Sequence, residues 1–170
     1  MCIRDREVTD QAIKVLKAIA SEFDHTFKFK TADVGAVAID NFNDPLPDET
    51  LKLCKSSDAI LFGAIGHPKY DNDPSAKVRP EQGLLKLRKE LGLFANIRPV
   101  QAYDTLIDKS PLKRHIIEGV DISIYRELTG GIYFGKKELS KDGDRASDLC
   151  EYSREEIERI THLAFQAAQN

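Results

Sequence analysis

Apolar residues recur at helical spacing near the start of the chain. Val8, Ala12, Ile13, Leu16, Ile19, Ala20 and Phe23 fall on one side of a 3.6-residue period and predict an amphipathic helix over 8–23. Phe27 and Phe29 alternate with lysines, the pattern of a short strand with one buried face. Pro45 and Pro47 punctuate the next stretch, and a helix is predicted from Asp48 to Lys55. Ala59-Ile60-Leu61-Phe62-Gly63 is a continuous apolar run closed by glycines, which reads as a strand buried on both faces of a parallel sheet. Residues 66–80 are polar and aperiodic, a long loop of the length that compact proteins usually reserve for function. A helix from Gly83 to Glu90, a strand from Leu93 to Val100 closed by Pro99, and a strand from Asp121 to Glu127 follow. Gly130-Gly131 marks a turn into a further strand, Ile132-Tyr133-Phe134. Ser153 and Glu156 form a capping-box pattern ahead of Ile157, Ile160, Ala164 and Ala168, so a last helix is predicted to run to Asn170. This alternation implies an α/β fold with a mixed or largely parallel sheet.

Composition narrows the class. The 170 residues are 41% hydrophobic and 31% charged, enough for a sizeable core. With a net charge of -3 and a pI near 5.8, and no basic stripe, the chain carries no electrostatic footprint for nucleic acid. No apolar run approaches the roughly 20 residues that span a bilayer, and no secretory leader is visible. Cys2, Cys54 and Cys150 are scattered and odd in number, which fits a reducing, cytoplasmic setting. His25, His67, His115 and His162 show no metal-ligand spacing.

Three arginines stand out. Arg98 follows Phe94-Ala95-Asn96-Ile97 and Arg126 follows Ile122-Ser123-Ile124-Tyr125, at predicted strand ends, where open α/β sheets bind ligands. Glu81, Leu84, Leu85 and Arg88 are spaced i, i+3, i+4, i+7 and share a helical face. Guanidinium groups hold carboxylates bidentately, so arginines with a leucine patch suit a small dicarboxylate bearing an apolar substituent. The competing reading makes Leu84 and Leu85 core and the arginines surface ion pairs. Tyr133 is either a proton donor or a packed tyrosine. Gly63-Ala64-Ile65-Gly66 is a weak G-x-x-G shape, and no G-x-G-x-x-G dinucleotide fingerprint is present.

At these same residues the sequence resembles the 3-isopropylmalate dehydrogenases. Arg126-Glu127-Leu128-Thr129-Gly130-Gly131-Ile132-Tyr133-Phe134-Gly135 matches their R-E-L-T-G-G-I-Y-F-G stretch. So do residues 79–89, RPEQGLLKLRK, and 93–99, LFANIRP. Residues 63–71 are similar to the family's G-x-V-G-G-P-K-W-D loop, with His67 where glycine is usual, and residues 34–40 to its V-G-G-x-A-I-D. The isocitrate enzymes share the fold but differ on the helix and at R-E-N. Two departures are visible: residues 1–6 stand where the family has a strand and a G-D-G-I-G-P-E-V turn, and the chain ends inside the family's pattern.

The resemblance implies an α/β, isopropylmalate dehydrogenase-like two-domain fold, incomplete at both ends. Residues 1–97 would be the N-terminal part of the first, NAD-side domain, and 98–170 the start of the second, dimer-forming domain. It implies NAD-dependent oxidative decarboxylation of 3-isopropylmalate in leucine biosynthesis by a cytoplasmic homodimer using Mg or Mn. By position, Arg88, Arg98 and Arg126 match the substrate-carboxylate arginines. Leu84 and Leu85 match the isopropyl-recognising helix, and Tyr133 matches the acid of the decarboxylation step. Pro68, Lys69, Tyr70, Asp71, Pro80 and Glu81 match part of the NAD site. The family's catalytic lysine and metal-binding aspartates correspond to positions beyond Asn170, so no metal ligand is expected here and the 170 residues alone are expected to be inactive. The alternatives are a sister enzyme acting on tartrate or homoisocitrate, and a non-catalytic carboxylate-binding fragment.

Overall fold

A computed structural model describes residues 3–73 and 75–169, with side chains from residue 8 onward. Met1, Cys2 and Asn170 lie outside the described residues, and with them part of the expectations for the two ends. The chain divides into two compact units, Met1–Leu91 and Gly92–Asn170.

The first unit contains five helices among its described residues: α1 (Ile3–Glu22), α2 (Ala36–Phe42), α3 (Asp48–Lys55), α4 (Pro68–Asp71) and α5 (Pro80–Glu90). The α3 bounds are those its sequence predicts. Helix α5 begins earlier than predicted because Pro80 suits a first helical position, where no N–H is needed. Gln82 Oε1 accepts the Arg79 N–H at 3.1 Å and steadies that start. Helix α4 sits inside the stretch read as loop, and His67 supplies its cap: Nδ1 accepts the Lys69 N–H at 3.1 Å.

The core of this unit gathers around residues 35–46 and 65–87. Ala36, Ile39 and Tyr70 form one buried cluster with Ala76 and Val78 packed on it, and Leu46 and Pro80 are wholly enclosed. Gly35 is where three segments meet. Its N–H donates to Pro45 O at 2.8 Å, and the Ala36 N–H donates to Ile65 O at 3.2 Å. Helix α5 turns Pro80, Gly83 and Leu87 inward. A methyl group at Gly83 would overlap the Pro45 carbonyl, so only glycine allows this approach.

Two strands predicted in the first unit do not form. Neither 27–29 nor 59–63 takes part in a ladder; Phe27, Phe29, Ile60 and Leu61 are exposed. An apolar run provides the side chains of a strand, but the strand itself is a pairing, and no described segment pairs with these. The stripe of α1 is likewise exposed at Val8, Val15, Ile19 and Phe23.

The second unit holds β1 (Ala95–Gln101), a 3₁₀ segment (Asp104–Lys109), α6 (Arg114–Ile117), β2 (Asp121–Glu127), a 3₁₀ turn (Gly131–Tyr133), β3 (Lys137–Leu139), β4 (Ala146–Asp148) and α7 (Arg154–Gln169). The β1–β2 and β3–β4 pairs are both antiparallel, so the ladders of the described residues show none of the parallel pairing that a mixed or largely parallel sheet would include. The linker between β1 and β2 spends its length on short helical pieces rather than a crossover helix, so the chain returns antiparallel. Strand β1 continues through Pro99 instead of ending there. Hydrogen bonds from Leu128 N to Phe94 O and from Ala102 N to Val120 O set the phase of the ladder. In that phase Pro99, opposite Ser123, falls at a position whose nitrogen points away from β2, and no bond is lost. Helix α7 starts as predicted: Ser153 N donates to Glu156 Oε2 at 2.7 Å and Glu156 N to Ser153 Oγ at 3.2 Å.

Candidate functional site

The β1–β2 register sets Asn96 opposite Arg126 and Arg98 opposite Ile124. Opposed residues of an antiparallel ladder share a face, as do alternate residues along each strand. Asn96, Arg98 and Arg126 therefore project from one face, with Arg98 and Arg126 diagonal neighbours about 7–8 Å apart in a ladder of this kind. Arg98 is mid-strand rather than at a carboxyl end, because β1 extends to Gln101; what gathers the arginines is the shared face of the ribbon. Arg98 Nε donates to Asn96 Oδ1 at 2.8 Å, which fixes its direction.

Tyr133 lies in a 3₁₀ turn, not in the strand expected. Gly131 takes φ 69°, a bend that breaks ladder geometry. Phe134 N and Gly135 N both donate to Gly131 O, closing the turn at 3.1 and 3.0 Å. The turn folds back toward β2, so that Arg126 Nη2 donates to Tyr133 Oη at 2.5 Å and the guanidinium carbon stands 5.2 Å from the ring centroid. The phenol oxygen accepts from a fixed cation, and its own hydrogen is left to donate elsewhere.

Glu127 turns to the opposite face. Its side chain is only 6% exposed. Arg159 of α7 grips it in a fork, Nε to Oε2 at 3.1 Å and Nη2 to Oε1 at 2.9 Å, while stacking 4.6 Å over Phe94. Thr129 adds its N–H at 2.8 Å and its hydroxyl at 2.7 Å, and Arg159 also bonds the Thr129 hydroxyl. Burial raises the Glu127 carboxyl, but the Arg159 guanidinium and the Thr129 donors outweigh it and hold the carboxyl below its ordinary value. A carboxyl depressed on folding contributes stability above its unfolded pKa, about 4.3, and that contribution is lost as pH falls through the folded value. Glu127→Gln should accordingly lower the melting temperature at pH 7 and flatten its decline below about pH 4.3. Melting curves of both proteins from pH 3 to 7 check this; parallel acid limbs would place the acid sensitivity elsewhere.

In the first unit, α5 turns Glu81, Leu84, Leu85 and Arg88 to the flank of its buried face. Leu84, Leu85 and Arg88 are half-buried and Glu81 is exposed beside Gly66. Several side chains brace described residues of the loop before α5. Lys69 Nζ and Tyr70 Oη both donate to Asp40 Oδ1 at 2.7 Å, and Arg79 binds the carbonyls of Tyr70 at 2.9 Å and Asp73 at 3.2 Å. Lys69 and then Tyr70 hold the Asp40 carboxyl below its usual range. Pro68, Lys69 and Asp71 are exposed, whereas Tyr70 and Pro80 face the core and can serve a ligand only by shaping the loop.

The model of the isocitrate/isopropylmalate dehydrogenase family matches residues 5–170. The chain belongs to that family. A 3-isopropylmalate dehydrogenase of Heyndrickxia coagulans is 55% identical over 165 residues, covering 96% of this chain and 45% of that protein. One from Bacteroides fragilis (strain YCH46) is 52% identical over 162 residues, covering 95% and 45%. The chain thus spans about 45% of the length of these relatives. Among solved structures, an isocitrate dehydrogenase from Methylococcus capsulatus aligns with a TM-score of 0.74 at 26% identity, covering 94% of this chain and 43% of that one. A beta-decarboxylating dehydrogenase from Thermococcus kodakarensis aligns at 0.64 and 32%, covering 96% and 42%. The fold is α/β and of the kind these dehydrogenases share.

Against that family background, the residues singled out fall into two sets. Arg98, Arg126 and Tyr133 come together on the ribbon of the second unit; Leu84, Leu85, Arg88 and the loop residues belong to the first. Sequence reasoning missed Asn96, Asp40, Arg79 and Arg159. Asn96 was open to discovery, since it lies two residues before Arg98 on a strand and so shares its face. Asp40 and Arg159 act over 29 and 32 positions, and no local pattern signals such pairs. No helix of the described residues is long and apolar enough to cross a membrane. Among the described residues no group of three or more His, Cys, Asp or Glu side chains could hold a metal ion.

Proposed function

We propose that this chain is part of an NAD-dependent 3-isopropylmalate dehydrogenase of leucine biosynthesis, a cytoplasmic homodimer when full length. Residues 1–97 would belong to its NAD-side domain and 98–170 to its dimer-forming domain. The observation that carries the reading is the pairing of Arg126 with the Tyr133 hydroxyl beside Arg98 on one ribbon face. Two forked cations next to an orientable phenol suit a hydroxy dicarboxylate that must be held, oxidised and protonated.

In this reading Arg88, Arg98 and Arg126 bind the two substrate carboxylates through charge-assisted hydrogen bonds of their guanidinium groups. Asn96, by engaging Arg98 Nε, aims its terminal nitrogens. Leu84 and Leu85, half-buried on α5, form the apolar wall for the isopropyl group. Pro68, Lys69, Asp71 and Glu81 border the cofactor, with Tyr70 and Pro80 setting the loop from within. The stretch from His67 to Tyr70 fits that task, since His67 Nδ1 accepts from Lys69 N and Arg79 donates to the Tyr70 carbonyl. Bound NAD supplies the hydride acceptor. Loss of carbon dioxide from the oxidised substrate leaves an enol, and Tyr133 delivers the proton to carbon. By the family's pattern, the Mg or Mn ion expected of this activity would take its ligands from positions of the full-length protein that correspond to residues beyond Asn170.

The test is NADH formation by the full-length protein with 3-isopropylmalate, malate, tartrate, homoisocitrate and isocitrate. Preference for 3-isopropylmalate is expected, and Leu84→Ala should reduce its advantage over malate by about 1–3 kcal/mol in kcat/KM. Preference for tartrate or homoisocitrate would assign a sister activity, and an unchanged ratio in Leu84→Ala would return that leucine to packing.

A further inference from the structure

Residues 130–135, the turn that carries Tyr133, are braced by a segment 14 to 26 residues further on. Its three glycines, Gly130, Gly131 and Gly135, are covered by the strap between β4 and α7 and by the first turn of α7. A methyl group at Gly131 would collide with the Tyr152 ring and hydroxyl. One at Gly135 would overlap the Leu149 carbonyl, and one at Gly130 would come within 2.7 Å of the Glu156 carboxylate. Gly131 N donates to Glu151 O at 2.9 Å and Leu149 N donates to Lys136 O at 3.0 Å, so backbone bonds tie both ends of the turn to the strap. Ser153 N holds the Glu156 carboxylate at 2.7 Å, which keeps it over Gly130. The result is a turn with glycines at the points of contact, pressed against the Tyr152 ring, the Leu149 carbonyl and the Glu156 carboxylate.

From this we infer that Tyr152 is a positioning residue for Tyr133: its ring sets the place of the Gly130–Gly135 turn and hence the distance from the Tyr133 hydroxyl to Arg126. The inference rests on the proposed role of Tyr133. Tyr152 touches Gly131, two residues before Tyr133, and reaches the site only through that turn. Removing the ring frees the turn to shift toward the space it vacates, and the phenol moves with it. Misplacement by about 1 Å can cost about a hundredfold in rate.

The experiment uses the full-length protein with Tyr152→Ala, Tyr152→Phe, Tyr133→Phe and the double variant Tyr152→Ala/Tyr133→Phe. Tyr152→Ala is expected to lower kcat by roughly ten- to a hundredfold with the KM for NAD unchanged. Tyr152→Phe, which keeps the ring, should stay within about threefold of wild type, since positioning by bulk survives loss of the hydroxyl. The double variant should be no slower than Tyr133→Phe alone, because groups that act as one unit are not additive. Independent, multiplying losses would overturn the inference. A second readout does not depend on activity: in protein labelled with ¹³C at tyrosine Cζ, the Tyr133 signal should move in Tyr152→Ala and stay in Tyr152→Phe. If Tyr152→Ala folds poorly, Tyr152→Leu serves both measurements. An unmoved Tyr133 signal would sink the positioning role. A moved signal with a fully active Tyr133→Phe would leave the positioning intact and remove the catalytic role on which the rate effect rests.

Discussion

Tyr133→Phe in the full-length protein is expected to lower kcat by about 10²–10⁴-fold, the usual share of a general acid, while leaving folding and the KM for NAD nearly unchanged. The ring stays, so the stacking of Arg126 over it persists; what goes is the oxygen that accepts from Arg126 Nη2. Hydride transfer and loss of carbon dioxide both precede that proton, so NADH and carbon dioxide should form in the first turnover while ketonisation of the enol lags. Single-turnover records of NADH, carbon dioxide and the keto product together distinguish the cases. Wild-type rates for all three would reduce Tyr133 to a packed aromatic. A sharp loss of stability with normal chemistry per folded molecule would make its hydroxyl a structural partner of Arg126.

Gly35→Ala is expected to have the largest effect on stability. Gly35 sits at φ 70° and ψ -135°, a region essentially confined to glycine, where another residue costs about 1–3 kcal/mol. A methyl group there would stand 2.6 Å from Ile65 Cβ and 2.8 Å from Ile65 O, and overpacking of that kind costs a further 1–3 kcal/mol or so. Relief is not available by a side-chain rotation, because Ile65 O already accepts from Ala36 N and the Gly35 N–H is held by Pro45 O. Chemical denaturation should show a loss of about 3 kcal/mol or more, or a failure to accumulate folded protein. A midpoint unchanged from wild type would mean that the junction of residues 35, 45 and 65 is far softer than its contacts imply.

Helices were legible where local chemistry decides them. The α3 bounds follow from Pro47 and a run of good formers, and the start of α7 from Ser153 and Glu156, whose reciprocal bonds are present. Strands were legible only where two runs found each other: β2 kept its predicted bounds, while the apolar run 59–63, a stronger signal by hydrophobicity, has no ladder partner among the described residues. The site shows the same division. That Arg98 and Arg126 are arginines with ligand-binding chemistry could be read from residue type, but their meeting on one face depends on the register, which sequence does not state. Tyr133 was assigned to a strand because its neighbours are apolar; the two preceding glycines decided otherwise. The resemblance at residues 126–135 was informative because that run contains residues the fold brings together: the Arg126 guanidinium, the Tyr133 phenol and the glycines of the turn that lets one reach the other.

Pro99 has a further effect on how the β1–β2 ribbon can grow. The outward-pointing nitrogens of β1 belong to Ala95, Ile97, Pro99 and Gln101, and the third carries no hydrogen. Any strand laid along that edge, from the same molecule or another, would meet a missing rung at its centre. The outward row of β2, at Asp121, Ser123, Tyr125 and Glu127, is unbroken. Sheet extension is therefore directed to the β2 side, and the β1 side is protected against the edge-to-edge pairing that leads to aggregation.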